Sequence, residues 1–312
     1  MAKVSPPTLS IVIPLFNEAP MIPLLFKRLN DLKRKLPAAT ECIFVDDGST
    51  DGTSEKLGQL PLRFSAQIIT LSRNFGHQAA LLAGLQSATG QYVVTMDGDL
   101  QHPPELIPEL MALHKQGYDV VLTKRLAGSE GADKSLTAKW FYWLINLLSH
   151  TKIQENASDF RSLNQTALKA LLALPEQRKF LRGMVQWIGF KSVIVPYTPA
   201  KRVKGKSKYS VTKMLSLALH GLTSFSTRPL YLSGFFSVLL FVLAGIYACY
   251  VLYVRFFGSG VISGWASVLF MTLVIGGFLS LFIGLIGVYV AAIYDEVKKR
   301  PNFIISKQQK LG

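Results

Sequence analysis

The sequence predicts an α/β protein: a mostly parallel sheet with helices on both faces, followed by an interfacial helix and two transmembrane helices. Three observations carry that reading. Between residues 9 and 125, apolar runs of strand length alternate with stretches of helical spacing, the pattern of parallel strands joined by helical crossovers. No charged residue occurs from Pro229 to Val254, nor from Phe256 to Tyr294, and a helix crosses a bilayer with about 20 apolar residues. Polar clusters close each predicted strand, and open α/β sheets bind ligands in the crevice outside the carboxyl ends of their strands.

The elements follow in order. "LSIVIPL" (9–15) is an uninterrupted apolar run and reads as a buried strand. "APMIPLLFKRLNDLKRKL" (19–36) sets Leu25, Leu29, Leu32 and Leu36 on one helical stripe. "ECIFVDD" (41–47), "SAQIITLS" (65–72), "QYVVTMD" (91–97) and "YDVVLTKR" (118–125) read as four further strands, with helical patterns at 77–88 and 104–116. The cytoplasmic sheet domain is taken to span residues 1–200. "KRVKGKSKYSVTK" (201–213) carries six basic residues and no acidic one, and Leu215, Leu219 and Leu222 follow at helical spacing. Residues 201–228 therefore read as a basic loop and a juxtamembrane amphipathic helix lying on the membrane. Residues 229–312 hold the two spans, near 230–254 and 266–293, with the turn-like "GSGVISG" (258–264) between them and a short basic tail. Arg228 precedes the first span and "DEVKKRP" follows the second, which places both outer ends in the cytoplasm.

Composition narrows the partners. The 312 residues carry a formal charge of +15 and are 49% hydrophobic. Lys and Arg flanking long apolar segments account for the charge, since anionic head groups attract them, so no nucleic-acid partner is expected. Cys42 and Cys249 both lie in apolar runs and read as buried thiols rather than a disulfide or a metal site. "MAKVSPPTLS" has no apolar h-region, so no cleaved signal peptide is expected. The expected setting is the cytoplasmic membrane, with the sheet in the cytoplasm. Two spans alone bury little surface, which points to a homo-oligomer.

Strand ends supply the candidate site. The first ends in Asn17 and Glu18, the second in Asp46, Asp47 and Ser49, the third in Arg73, Asn74 and His77, the fifth in Lys124 and Arg125. The fourth runs into "MDGDLQHP", with Asp97 and Asp99 separated by one glycine. One such cluster is ordinary helix capping; five at one edge of a sheet are a site. Two carboxylates this close call for a cation, and hard oxygen ligands suit Mg²⁺ or Mn²⁺, with Mg²⁺ commonly held by one or two carboxylates plus phosphate oxygens.

"IVIPLFNE", "FVDDGSTDGT", "SRNFGHQAALLAGL" and "MDGDLQHPPE" resemble the family-2 glycosyltransferases of GT-A fold, a Rossmann-like, mostly parallel sheet. "ASDFRSL" (157–163), "RGMVQWIGF" (182–190), "RVKGKSKY" (202–209) and the two spans narrow the resemblance to polyprenyl-phosphate glycosyltransferases, in the bactoprenol glucosyltransferase subgroup related to dolichol-phosphate mannose synthase. The resemblance covers nearly the whole chain. It implies that Pro14, Asn17, Glu18 and Asp46 hold the uracil and ribose of a nucleotide sugar, with Asp47 and Arg73 in the same donor-binding set. It implies that Asp97 and Asp99 bind the metal with Gln101 close by. Arg125 would face phosphate, and Arg202 and Lys208 would close over the donor diphosphate or the lipid phosphate. "ENASDFR" departs from the family in having Asn156 and Ala157 where an acidic residue often precedes Asp159. Asp159 therefore reads either as a catalytic carboxylate or as the internal ion-pair partner of Arg161.

The reaction so implied is inverting transfer of a hexose, glucose from UDP-glucose, to polyprenyl (undecaprenyl) phosphate. The acceptor phosphate is anionic near neutral pH, since the second pKa of such groups is about 6, so it needs positioning more than deprotonation. Asp99 and Asp159 are the carboxylates available as a base. Two other readings stand beside this one: a GDP-mannose-dependent mannosyltransferase, and a non-catalytic membrane scaffold that binds nucleotide sugar or lipid. A processive polysaccharide synthase is disfavoured, because "RGMVQWIG" lacks the Q-x-x-R-W pattern and a polymer channel needs more spans.

Overall fold

The computed structural model describes residues 7–59, 61–126, 157–177, 179–199, 228–257 and 264–311. These fall into two compact units, the sheet with residues 299–311 and the pair of long C-terminal helices. The basic loop and amphipathic stretch expected at 201–228, with Arg202 and Lys208, lie outside the described residues apart from Arg228.

The sheet unit begins with strand β1 (Leu9–Leu15), helix α1 (Ile22–Asp31), β2 (Thr40–Asp46), α2 (Thr53–Gln59), β3 (Ser65–Leu71), α3 (His77–Ser87) and β4 (Tyr92–Thr95). A 3-10 turn (Pro104–Leu106), α4 (Ile107–Lys115) and β5 (Val120–Arg125) follow. All seven residues of β1 are buried, which is why its sequence shows no polar alternation. In α1 the buried residues Ile22, Leu25, Phe26 and Leu29 form the i, i+3, i+4, i+7 stripe of a helix laid on a sheet. Helix α3 instead buries every residue from Ala80 to Leu85. Gly84 lets it seat closely, since a Cβ there would stand 2.3 Å from Val12 Cγ1 and 3.0 Å from Val45 Cγ2. Each of its buried leucines contributes about 1.5–3 kcal/mol of burial free energy.

Next come β6 (Ala157–Asn164), α5 (Gln165–Ala173), α6 (Leu181–Trp187) and β7 (Ser192–Tyr197). The eight strands lie in the order β7-β5-β6-β4-β1-β2-β3-β8, where β8 is Ile305–Leu311. Pairs β1–β2, β1–β4, β2–β3 and β5–β7 are parallel. Strand β6 runs antiparallel to both β4 and β5. Its first residues therefore lie at the edge where the parallel strands end. Thr95 Oγ1 and Thr123 Oγ1 donate to the carbonyls of Asp159 and Phe160, fixing that start from both sides.

Strand β8 extends the reading of the C-terminus. Where the sequence suggested only a basic tail, Ile305–Leu311 adds an antiparallel edge strand to β3, from Ala66↔Leu311 to Leu71↔Ile305. The Ser72 amide also donates to the Ile304 carbonyl at 2.8 Å.

The second unit consists of α7 (Arg228–Phe257) and α8 (Trp265–Lys298). Within them Ser233–Val254 and Met271–Lys298 are long and apolar enough to cross a membrane, and neither is buried inside the protein. Side chains such as Phe241 (81% exposed) and Leu273 (67%) face outward.

Candidate active site

The parallel strands deliver their polar ends to one edge, and the loops there are tied together by side chains. Asn17 is in the left-handed conformation (φ 55°), which Asn tolerates better than most residues. Its amide donates to Ser49 Oγ at 2.9 Å, and its Oδ1 accepts the Thr50 amide at 2.9 Å. The Glu18 and Ala19 amides donate to Thr53 Oγ1 and Asp51 Oδ2 at 3.0 Å each. Burial raises the Asp51 pKa, but hydrogen bonds from the Thr53 hydroxyl and the Ala19 and Thr53 amides outweigh it and hold the carboxyl below its usual range.

Asp46 and Asp47 differ in what they do. Asp47 accepts the amides of Phe75 and Gly76 at 2.7 and 2.9 Å. Burial still moves its pKa up from the ordinary value. It thus bolts the loop after β3 to the loop after β2. Gly48, at φ 67°, lets the loops touch: a Cβ there would meet the Arg73 carbonyl carbon at 2.5 Å. Asp46 is 1% exposed; its Oδ1 accepts the Ser49 amide at 3.0 Å, and its Oδ2 is buried with no hydrogen-bond partner.

Asp97 and Asp99 flank Gly98, where a Cβ would fall 2.2 Å from Leu15 Cδ2. Asp99 Oδ1 accepts the Gln101 amide at 3.0 Å. Asp97 Oδ1 is buried without a hydrogen-bond partner; the His77 ring lies beside it, with Nε2 at 3.4 Å. Asp97, Gly98 and Asp99 line a cleft of about 380 Å³ together with Pro14, Phe16 and Glu18.

Asp159 lies beside them. Asp97 and Asp159 stand two residues beyond the paired Thr95 and Arg161, at the same edge. Asp159 is 3% exposed and fully engaged. Arg161 Nη2 donates to its Oδ1, Arg182 Nη2 to its Oδ2 at 2.6 Å, and Gln78 Nε2 to Oδ2 at 3.4 Å. Burial alone would raise its pKa, but His77, Arg161 and Arg182 overcome this and hold the carboxyl well below the usual range. Burial likewise lowers the pKa of His77, yet Asp159 and Asp97 prevail and raise it. Asp159 is thus paired with Arg161 and Arg182, the ion-pair arrangement that is one of its two readings from sequence.

Behind the Asp97 turn sits His102, 2% exposed. Its Nδ1 accepts the Asp97 amide at 2.9 Å, and its Nε2 lies 2.8 Å from Ser158 Oγ. The proton therefore sits on Nε2, and the 3.6 Å approach of Nδ1 to Asp97 Oδ2 is not an ion pair. Burial pushes the His102 pKa down, consistent with a neutral ring.

The model of the glycosyl transferase family 2 domain matches residues 10–172, which contain every strand end just described. The chain belongs to glycosyl transferase family 2. It is 36% identical over 304 residues to the "Prophage bactoprenol glucosyl transferase homolog" of Escherichia coli strain K12, covering 97% of this chain and 99% of that protein. It is 38% identical over 300 residues to the "Uncharacterized glycosyltransferase YkcC" of Bacillus subtilis strain 168, covering 96% and 93%. Among solved structures, glucosyl-3-phosphoglycerate synthase from Mycobacterium tuberculosis superposes with a TM-score of 0.51 at 20% identity, covering 71% of this chain and 80% of that one. The sheet is thus the GT-A-like fold the sequence suggested, and the protein is a glycosyltransferase.

On this family-2 scaffold the structure brings together Pro14, Glu18, Asp47, Asp97 and Asp99 around one cleft, with Asn17 and Asp46 in the adjoining loops. It gives four residues other engagements. The Asp47 carboxylate is taken by loop amides. Arg73 lies over the Phe75 ring, 4.2 Å from its centroid. The Gln101 Oε1 accepts Arg125 Nη2 at 3.0 Å, so Arg125 braces the turn that follows Asp99. Arg182 and His102 were not singled out from sequence. The period-2 spacing of Asp159 and Arg161 on one strand face was the available signal for the ion-pair cluster.

Proposed function

We propose that this glycosyltransferase moves a hexosyl group from a nucleotide sugar, UDP-glucose, to a polyprenyl phosphate at the cytoplasmic face of a membrane. The observation that carries the reading is a pair of buried carboxylate oxygens without a hydrogen-bond partner, Asp46 Oδ2 and Asp97 Oδ1, at the ends of the two strands that flank β1. Buried polar atoms are nearly always satisfied, so each marks a place for a ligand. Asp46 Oδ2 suits an N–H or hydroxyl of the nucleoside, with Pro14, Asn17 and Glu18 forming the rest of that wall. Asp97 Oδ1 and the Asp99 carboxylate suit a divalent cation, Mg²⁺ or Mn²⁺. Among the described residues no group of three His, Cys, Asp or Glu side chains forms a closed metal site; a cation here would share its sphere with substrate phosphates.

When bound, such a cation supplies charge neutralisation for the departing nucleoside diphosphate. The chain's own residues do the remainder. Asp97 and Asp99 hold their oxygens at the cleft, and Arg125 steadies Gln101 beside them. Arg202 and Lys208 are proposed to meet the phosphates, on the strength of their place in the basic stretch before the first span. The acceptor phosphate oxygen forms a bond to the sugar's anomeric carbon as the bond to the diphosphate breaks. One displacement inverts that carbon, so an α-linked donor gives a β-linked lipid product. No general base is needed for an acceptor that is already anionic, and Asp159, held by two arginines, is not offered as one.

The lipid acceptor is supported by the name of the Escherichia coli relative and by the two apolar helices. Strand β8 supports a topology with both ends of the helix pair on one face of the membrane, because residues on both sides of the pair belong to the same sheet unit. A panel of UDP-glucose, UDP-galactose, UDP-N-acetylglucosamine and GDP-mannose, each with labelled sugar and undecaprenyl phosphate, tests the reading. Label should enter an organic-extractable product from UDP-glucose. Incorporation from GDP-mannose alone would identify a mannosyltransferase, and none from any donor would leave a binding scaffold.

A further inference from the structure

We propose that His102 is a positioning residue for the Asp97–Asp99 pair: by accepting the Asp97 main-chain N–H, its ring fixes the turn that presents both carboxylates. This rests on the divalent-cation reading of that pair. The turn needs such a clamp. Leu100 adopts φ 59°, a left-handed conformation that is unfavourable for a branched apolar side chain and persists only where its surroundings enforce it. Gly98 is pressed against Leu15 with no room for a Cβ. Two hydrogen bonds to turn amides hold this geometry, Gln101 N to Asp99 Oδ1 at 3.0 Å and Asp97 N to His102 Nδ1 at 2.9 Å. The first uses a carboxylate oxygen of the pair itself; the second comes from outside it.

His102 is well placed to act as a fixed point. Its ring stacks on Phe160 (centroids 5.3 Å apart, planes at 15°) and meets Tyr197 edge-on at 5.9 Å. Its Nε2–H points to Ser158 Oγ, which lies 3.0 Å from the Tyr197 hydroxyl and accepts the Phe160 amide at 3.2 Å. Residues of β6 and β7 thus set the tautomer and orientation of one imidazole, and that imidazole orients the first aspartate after β4. Groups that orient a metal ligand from behind commonly change metal affinity by about 10–100-fold when removed.

Two substitutions separate this role from packing. Asn places its amide oxygen near the position of Nδ1, so His102→Asn keeps an acceptor for the Asp97 N–H and loses the Ser158 contact. Gln places its amide near Nε2, so His102→Gln keeps the Ser158 contact and leaves the Asp97 N–H unpaired. Mn²⁺ binding to the purified full-length protein with UDP is read from the loss of the free-ion EPR signal, alongside a thermal midpoint without metal. The expected result is a loss of about 10-fold or more in Mn²⁺ affinity for His102→Gln, and a markedly smaller loss for His102→Asn, at similar midpoints. Equal affinities, or the reverse order, would overturn the positioning role. Wild-type protein that binds no Mn²⁺ would instead remove the cation reading beneath it. If His102→Gln does not fold, Ser158→Ala, which removes the partner that sets the tautomer, is expected to weaken Mn²⁺ binding several-fold, and unchanged binding would overturn the proposal equally.

Discussion

Replacing Asp159 by Asn separates a structural carboxylate from a catalytic one. In the folded protein Asp159 is the counter-charge of Arg161, which is 3% exposed and also donates to the Leu181 carbonyl at 3.1 Å. Its second arginine, Arg182, has a side chain 35% exposed, so solvent screens that contact and it adds less. Removing one partner of a buried ion pair typically costs about 3–5 kcal/mol, because the other charge is left uncompensated. Asn keeps one acceptor oxygen, which favours the lower end, about 3 kcal/mol. For a domain of this size each kcal/mol moves the unfolding midpoint by about 2–4 °C, so a fall of about 6–12 °C is expected. The assay is near-UV circular dichroism of the full-length protein during heating in detergent, with transferase activity measured on the same preparation well below the midpoint. A midpoint within about 2 °C of wild type, with activity abolished, would refute the structural reading and restore Asp159 as a candidate base.

Gly48→Ala forces a side chain into a left-handed position and against the Arg73 backbone at 2.5 Å; with about 1–2 kcal/mol for the conformation and 1–3 for the overlap, it should weaken UDP binding and lower the midpoint together, and normal values of both would contradict the loop contact. The double substitution Lys307→Pro and Gln308→Pro removes at least one N–H directed at β3, because consecutive residues of a strand point their amides to opposite sides. It should lower the midpoint where the paired alanine substitutions do not, and equal behaviour of the two would mean that β8 adds nothing to the sheet. For topology, tags at residues 1 and 312 should both be protected in right-side-out vesicles while one near Ser259 is accessible; protection of all three would mean that the two helices do not span.

How far the sequence revealed all this depended on what each element does. Strands β1 to β5 were legible because strands covered on both faces become apolar runs, and the site carboxylates were legible because they end those runs. Strand β6 was not, since "ASDFRSLN" buries Asp159, Arg161 and Ser162 and such a string looks like surface. Only its neighbours make it a core strand, by pairing the charges internally. Strand β8, "ISKQQKL", is mostly exposed at a sheet edge and so lacks the two-faced apolar signal. Helix α2 has seven residues, too few to establish a helical period. His102 gave no local sign of its role, because the partners that fix it, Ser158, Phe160 and Tyr197, are distant in sequence.

The most direct test of the function is transfer itself, measured with the cation and Asp99 as variables. Purified wild-type protein is given labelled UDP-glucose and undecaprenyl phosphate with Mg²⁺ or Mn²⁺, with EDTA, and with the cation restored; Asp99→Asn is run in parallel. Label should reach the lipid with wild type only when a divalent cation is present, recover on its return, and fall by at least about 10²-fold in Asp99→Asn while that variant keeps its unfolding midpoint. Full transfer in EDTA, or by Asp99→Asn, would contradict a cation held by the Asp97–Asp99 pair at the heart of the reaction.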